Sequence, residues 1–398
     1  MKLGIFVQNY VQGGMDTFLI NLINNISCDE VFLFYNKGKN IERVKKQLNK
    51  KINIIEYNKI LSNPSNFSNR LIIKILNIYN FTFGMFINFI SLKKIFKNNK
   101  FDKFMLVCGG YPGGCLYIPA LLALNTTNKN RLILNIHNYP VNINNYNFIR
   151  KTYESFLDYL VSKLVCKIIT VSKSCKNYFI NRPKLKEIKI EFIHNGTELL
   201  SNSNQINSIA SENLKLSKNK KIIFFPGVIE KRKGHEVMIK AMDVIIKKNQ
   251  NIHLIICGNG NIKEENDLKN LINTSVCKNR ISLLNFQNDL SFYYSKCSIV
   301  VIPSLNNESF GYTAIEAMSF KKPVICSKIG GLKEIVENNY NGLLVEPNSE
   351  NDLANAILSL INDENKIEKL GINGWNLYLS NYNSKIMAEN YYNSLNNI

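Results

Sequence analysis

Glu308-Ser309-Phe310-Gly311-Tyr312-Thr313-Ala314-Ile315-Glu316 decides the fold because of what stands on either side of it. Before it, Ser298 to Ile302 is an apolar run that ends at Pro303 and reads as a buried parallel strand. After it, Ala317-Met318-Ser319-Phe320 continues a helical pattern. Strand, loop and helix in that order put the backbone N–H groups of Phe310 to Thr313 at a helix N-terminus, where unpaired donors and the positive dipole end attract a phosphate. Two carboxylates eight positions apart, Glu308 and Glu316, flank this anion site. A carboxylate repels phosphate and accepts hydrogen bonds from hydroxyls, so the expected ligand carries both groups.

The same alternation runs along the chain. In the first half the expected strands are Leu3–Val7, Val31–Tyr35, Ile52–Tyr57, Lys103–Val107, Arg131–His137, Lys167–Ser172 and Ile190–His194. In the second they are Lys221–Phe225, Ile252–Cys257, Ile281–Leu284, Ser298–Ile302, Pro323–Cys326 and Leu343–Val345. Amphipathic helical stretches lie between them, which predicts α/β domains with parallel sheets. The interval Glu198–Lys220 is rich in Asn, Ser and Lys and lacks apolar periodicity. The expected division is therefore a first domain over 1–198, a linker over 199–220, a second domain over 221–372 and a C-terminal helix over 373–398.

Further on stand Lys322-Pro323-Val324-Ile325, Gly330-Gly331, Glu334-Ile335-Val336 and Asn341-Gly342-Leu343-Leu344-Val345. Together with Glu308-Ser309-Phe310-Gly311 and Glu316-Ala317-Met318, they make Val300 to Pro347 resemble, without a gap, the retaining nucleotide-sugar glycosyltransferases of family 4. The resemblance implies the GT-B fold: two Rossmann-like, doubly wound parallel-sheet domains facing across a cleft, with the C-terminal helix crossing back to the first. It also implies that Glu308 contacts hydroxyls of the transferred sugar and Glu316 the ribose, with Ser309, Phe310, Gly311, Tyr312 and Thr313 around the donor.

Four other motifs extend the expected site. Lys221–Phe225 leads into Pro226-Gly227-Val228-Ile229-Glu230-Lys231-Arg232-Lys233-Gly234, a basic turn bracketed by glycines that suits a diphosphate. The resembled family carries an Arg after the first Gly and a Lys before the second; Lys233 matches, Val228 does not, and Arg232 or Lys231 is left to supply the charge. Gly13-Gly14 follow the first strand and precede a helix, where the family has a glycine-rich loop at the donor's distal phosphate. Gly258 and Gly260, in Cys257-Gly258-Asn259-Gly260, end another strand, where the family loop borders the nucleoside; a plain turn fits them equally. His137 ends the strand before Asn138-Tyr139-Pro140, in place to donate a hydrogen bond to the sugar near its reacting carbon. Gly109-Gly110-Tyr111-Pro112-Gly113-Gly114 follows a strand and suits the acceptor side.

Composition bounds the rest. With 398 residues, 45% hydrophobic and 20% charged, the chain suits two globular domains. The formal charge of +20 calls for an anionic partner. Nine cysteines without a C-x-x-C pair, several inside apolar runs, read as free thiols in a reducing cytoplasm. Met1–Val7 is a strand and lacks the apolar core of a signal peptide. Residues 70–100 join an apolar stretch to Lys93, Lys94 and Lys97, too interrupted to span a bilayer. They read as a basic amphipathic segment on the inner face of an anionic membrane, or as a domain helix with lysines at its rim. No Asp-x-Asp pair is present, so neither metal nor cofactor is expected beside the nucleotide-sugar and its glycan or lipid-linked acceptor. A dehydrogenase would need G-x-G-x-x-G, which neither Gly13-Gly14 nor Gly258-Asn259-Gly260 completes. The remaining alternatives are a sugar phosphorylase or nucleotide-sugar epimerase on the same fold, and a basic nucleic-acid-binding protein, although no nucleic-acid recognition motif is present.

Overall fold

A computed structural model describes residues 1–9, 13–58, 79, 83–97, 99–111, 116–127, 132–140, 148–199, 220–306 and 308–397. The chain divides into two compact units, Met1–Asn195 with Met387–Ile398, and Gly196–Ile386.

In the first unit seven strands, β1 (Lys2–Val7), β2 (Glu30–Asn36), β3 (Asn53–Tyr57), β4 (Lys103–Cys108), β5 (Leu132–Ile136), β6 (Lys167–Thr170) and β7 (Lys189–Phe192), form one sheet in the order β3-β2-β1-β4-β5-β6-β7. Every pairing is parallel. The continuous apolar runs of the central strands are explained by burial on both faces, as for Leu3, Ile5, Phe6 and Val7 of β1. The helices are α1 (Gly14–Asn25), α2 (Lys39–Gln47), α3 (Phe83–Lys97), α4 (Tyr117–Thr127), α5 (Phe148–Leu164) and α6 (Lys173–Ile180). The strand order reverses between β1 and β4, so the loops leaving these two strands diverge and open a crevice at their carboxyl ends. Gly13-Gly14 and Gly109-Gly110 stand on those two loops.

The second unit repeats the design with β8 (Lys221–Pro226), β9 (Ile252–Cys257), β10 (Ile281–Leu284), β11 (Ile299–Ile302), β12 (Val324–Ser327) and β13 (Gly342–Val345), in the order β10-β9-β8-β11-β12-β13. Its pairings are likewise parallel. Around the sheet lie α7 (His235–Ile245), α8 (Ile262–Thr274), α9 (Ser291–Lys296), α10 (Tyr312–Ser319), α11 (Leu332–Ile335), α12 (Glu350–Ile361) and α13 (Glu364–Leu377). Here the order reverses between β8 and β11, and the loops leaving them carry Lys233 and Glu308.

Two of the expected boundaries call for comment. The proposed linker lies outside the described residues from 200 to 219. The C-terminal segment is not one helix from 373: α13 ends at Leu377, a π-helical turn covers Tyr378–Tyr382, and α14 (Ser384–Asn396) follows. Residues 373–386 stay with the second unit because Tyr378 Oη donates to the Thr197 carbonyl at 3.0 Å and Thr197 N–H donates to the Tyr382 carbonyl at 3.0 Å. From Met387 on, α14 packs in the first unit, where Lys167 Nζ donates to the Ser394 carbonyl at 2.6 Å.

The expected membrane segment is partly described. Residues 70–78, 80–82 and 98 lie outside the described residues, and α3 covers 83–97. It buries Gly84, Asn88, Leu92 and Phe96, and exposes Phe83, Phe86 and Ile90 on the opposite face. Among the described residues no helix is long and apolar enough to cross a membrane.

Candidate active site

Adjacent parallel pairing of β8 and β11, with Ile223 opposite Ile299, sets the loops after them side by side. They touch at Gly234, whose φ of 78° is left-handed and whose Cβ, if present, would lie 1.9 Å from the Pro303 carbonyl oxygen. Only glycine permits that approach. It brings Lys233 Nζ to 2.7 Å from Glu308 Oε2, in an ion pair whose side chains are 15% and 13% exposed. Ser304 Oγ donates to the same oxygen at 3.0 Å, and Arg232 Nη1 lies 3.9 Å from it. The structure therefore joins directly two residues that the sequence assigns to different parts of the ligand. It also separates the two candidates for the missing Arg. Arg232 stands beside Glu308 with its Nε on Glu230 Oε2 at 2.5 Å. Lys231 lines a cavity of about 980 Å³ that Glu236, Glu264, Asp267 and Glu350 also line, an acidic wall that repels a diphosphate.

The glycines divide by role. A Cβ on Gly258 would meet the Gly227 carbonyl oxygen at 1.9 Å, and one on Gly260 the Ile229 carbonyl oxygen at 2.3 Å. Both serve the packing of one loop on the other, sealed by the Ile229–Gly260 bridge. Nothing lies within 4 Å of a Cβ on Gly227, so that side of its backbone is open, while its N–H donates to the Cys257 carbonyl at 2.9 Å. That leaves Gly227 as the glycine suited to backbone contact with a ligand.

Gly311, with φ 137°, caps α10, and Tyr312 and Thr313 open it half-exposed beside Ser309. Phe310 is buried between the rings of Tyr312 and Tyr382, so it packs the loop instead of facing outward. Glu308 is pinned through its backbone as well, its carbonyl accepting from Gly331 N–H at 2.8 Å. Glu316 lies within α10 and is half-buried, its Oε2 accepting from Tyr294 Oη at 2.8 Å. Burial pushes its carboxyl up against the opposing pull of the Tyr294 hydrogen bond. Tyr294 is itself fully buried, stacked on Phe320 at 5.5 Å. Ser304 and Tyr294 escape sequence reading: neither sits in a charged or glycine-bearing motif, and each gains its place from tertiary contact.

In the first unit Gly13 precedes α1 and Gly14 opens it, both exposed, with nothing within 4 Å of a Cβ on Gly13. One turn into α1, the Phe18 ring lies 4.3 Å from that of His137, which follows β5 directly. The glycine loop and His137 thus share one end of the first sheet. Gly113-Gly114 lies outside the described residues. Burial lowers the His137 imidazole to about 3, so the ring is neutral at neutral pH. Its Nε2 is 2.6 Å from Asn135 Oδ1. Among the described residues no three His, Cys, Asp or Glu side chains gather as a metal-holding group.

Two doubly wound parallel sheets, each with glycine-bearing loops at its switch point, define the GT-B class of fold. Residues 207–376, within the stretch that makes up the second unit, match the family described as Glycosyl transferases group 1. The chain is 35% identical over 215 residues to an uncharacterized glycosyltransferase of Methanocaldococcus jannaschii, covering 52% of this chain and 53% of that one. It is 28% identical over 248 residues to a capsular polysaccharide biosynthesis glycosyltransferase of Staphylococcus aureus, covering 60% and 64%. The matched stretch thus spans about half to two thirds of these relatives, at 53% and 64% of their length. Among solved structures, Anabaena HepE in complex with UDP superposes with a TM-score of 0.78 over 100% of both chains at 18% identity, and the same protein is known with UDP-glucose.

Proposed function

We propose that this chain is a retaining glycosyltransferase of family 4 that moves a sugar from a nucleoside-diphosphate sugar, UDP-linked by preference, to a hydroxyl of a glycan or lipid-linked acceptor in bacterial cell-surface polysaccharide synthesis. The observation that carries this reading is the Lys233–Glu308 pair at the switch point of the second sheet, beside the start of α10. A bound diphosphate offers Lys233 a stronger anion than Glu308, and the displaced carboxylate is then available to sugar hydroxyls. Arg232 and the α10 N-terminus add positive potential where the leaving group gathers charge. Glu316 holds the ribose, and His137 contributes from the first unit to the sugar. The capsular polysaccharide enzyme and the UDP complexes of HepE support the acceptor class and the nucleotide.

A thermal-shift comparison of UDP-, GDP- and ADP-sugars tests the donor class, because a ligand that binds only the folded state raises the midpoint with RT ln(1 + [L]/Kd). A rise with UDP-sugars is expected; no rise with any of the three overturns the reading. In the same preparation EDTA should leave most transfer intact, since Lys233 and Arg232 carry the charge a divalent ion would otherwise neutralise. Complete loss restored by Mn²⁺ would refute the metal-free reaction.

The lipid-linked acceptor fits a cytoplasmic setting at the anionic inner face of the membrane. α3 exposes Phe83, Phe86 and Ile90, with Lys93, Lys94 and Lys97 further along it, and carries no acidic residue. α5 exposes Phe148, Phe156 and Tyr159 with Arg150, Lys151 and Lys163. Its two carboxylates, Glu154 and Asp158, turn inward onto buried Arg182 at 2.6 and 3.1 Å. Right-handed crossovers set both helices on one side of the sheet, and α4 packs against each. Aromatic and cationic groups without exposed acids on these helices suit anionic lipid. Changing Lys93, Lys94 and Lys97 together to Glu should weaken binding to acidic vesicles about 100-fold or more, each cation contributing about 1 kcal/mol. Equal binding by wild type and triple variant, or none by either, removes the membrane from the proposal.

A further inference from the structure

The cavity of about 980 Å³ in the second unit is lined by neither Lys233 nor Glu308, and it runs against the charge of the chain. The chain has 50 basic and 30 acidic residues, yet this space is lined by five carboxylates, Glu230, Glu236, Glu264, Asp267 and Glu350, against two lysines, Lys231 and Lys240. One of those lysines is already committed, Lys240 Nζ lying 2.7 Å from Glu236 Oε1. Glu236, Glu264 and Glu350 stand in the first turns of α7, α8 and α12, so three helix starts converge on one space. Val237, Leu268 and Leu271 give it an apolar wall. A second, independent feature is His235, which opens α7, lines the same cavity and is 6% exposed. Its ring stacks on Phe225 at 4.5 Å. Burial lowers the imidazole to about 4, against the opposing pull of a hydrogen bond to the Glu230 carbonyl, and the ring is neutral at neutral pH. Its Nε2 is buried without a hydrogen-bond partner, so the bond to the carbonyl runs from Nδ1–H and Nε2 carries the lone pair. A buried acceptor without a donor is costly, and a ligand N–H removes that cost.

We propose that this cavity binds an aliphatic polyamine, a methylene chain with two or more ammonium groups, which donates one N–H to His235 Nε2 and others to the surrounding carboxylates. The five carboxylates and the imidazole lone pair only accept, and an ammonium group only donates. An anion is repelled here. Among the described residues no three His, Cys, Asp or Glu side chains gather to hold a metal ion, which leaves an organic cation. Val237, Leu268 and Leu271 suit its methylenes, as they would the stem of a lysine. The cavity has the size of a small-molecule site. Its occupancy does not depend on the reaction proposed for the Lys233–Glu308 pair.

Calorimetric titration of the full chain with spermidine, in about 150 mM salt to screen loose charge attraction, tests the site. The wild type should bind a single equivalent. Asp267→Lys combined with Glu350→Lys changes two side chains that are not buried, and should weaken spermidine about tenfold or more while the melting temperature holds. His235→Phe keeps a ring on Phe225 but loses Nε2, and should weaken spermidine about fivefold. Should that variant fail to fold, imidazole ¹⁵N NMR of the wild type reads the same contact: the lone-pair nitrogen of one of the four histidines should shift when spermidine is added. Mg²⁺ at equal charge has no N–H to give and should leave spermidine bound. No heat with spermidine up to about 1 mM, equal affinity in the double-lysine variant, unchanged affinity in a folded His235→Phe, histidine nitrogens that do not respond, or displacement by Mg²⁺ at equal charge would each overturn the assignment.

Discussion

Lys233→Ala should lower turnover at least tenfold while the chain still folds. The cation lies at the switch point of the second sheet, 15% exposed, in a site where its charge is poorly screened. Loss of one charge-assisted donor to a developing diphosphate anion costs roughly 2 to 4 kcal/mol, or about 30- to 1,000-fold in rate. The same change strips Glu308 of its 2.7 Å partner and leaves it Ser304 at 3.0 Å and Arg232 at 3.9 Å. The single variant should therefore lose stability as well, and Lys233→Ala with Glu308→Gln should lose less than the sum of the two. Steady-state kinetics and thermal melts of the four proteins in this cycle check both statements. Unchanged turnover in Lys233→Ala, with Arg232→Ala inactive, would show that Arg232 is the cation that matters.

Replacing the two carboxylates separately should split the kinetics. Glu308→Gln keeps the size and one acceptor but weakens bonds to sugar hydroxyls as positive charge grows on the ring. Its kcat should fall about 100-fold, with donor affinity changed far less. Glu316 is expected to grip the ribose equally in ground and transition states. Glu316→Gln should raise donor KM about fivefold and weaken bare nucleoside diphosphate in parallel, leaving kcat within about threefold. The fold should tolerate this change, because Tyr294 Oη can donate to the amide oxygen as it does to the carboxylate at 2.8 Å. Measuring both variants with donor and with diphosphate gives four comparisons. The opposite pattern, with Glu308 governing diphosphate affinity and Glu316 only turnover, means the donor lies reversed.

By itself the sequence determined the strand sequence of both sheets, because the central strands are buried on two faces and read as continuous apolar runs such as Leu3–Val7 or Ser298–Ile302. It also marked the loops that matter, since a glycine or a charge at a strand's carboxyl end is visible at short range, as at Gly227, Lys233 and Glu308. It left Arg232 and Lys231 equivalent. They are neighbours in the chain, and only the fold turns one toward Glu308 and the other toward an acidic wall. It left Gly258 and Gly260 between a loop bordering the nucleoside and a plain turn and set Phe310 around the donor; their close contacts within the fold are with the Gly227 and Ile229 carbonyls and the Tyr312 and Tyr382 rings. It carried no sign of Ser304 or Tyr294, whose partners Glu308 and Glu316 stand 4 and 22 positions away along the chain. Local pattern encodes which segments are buried and where the chain turns; pairing of one polar group with another depends on strand order and loop approach. Tertiary structure alone fixes those.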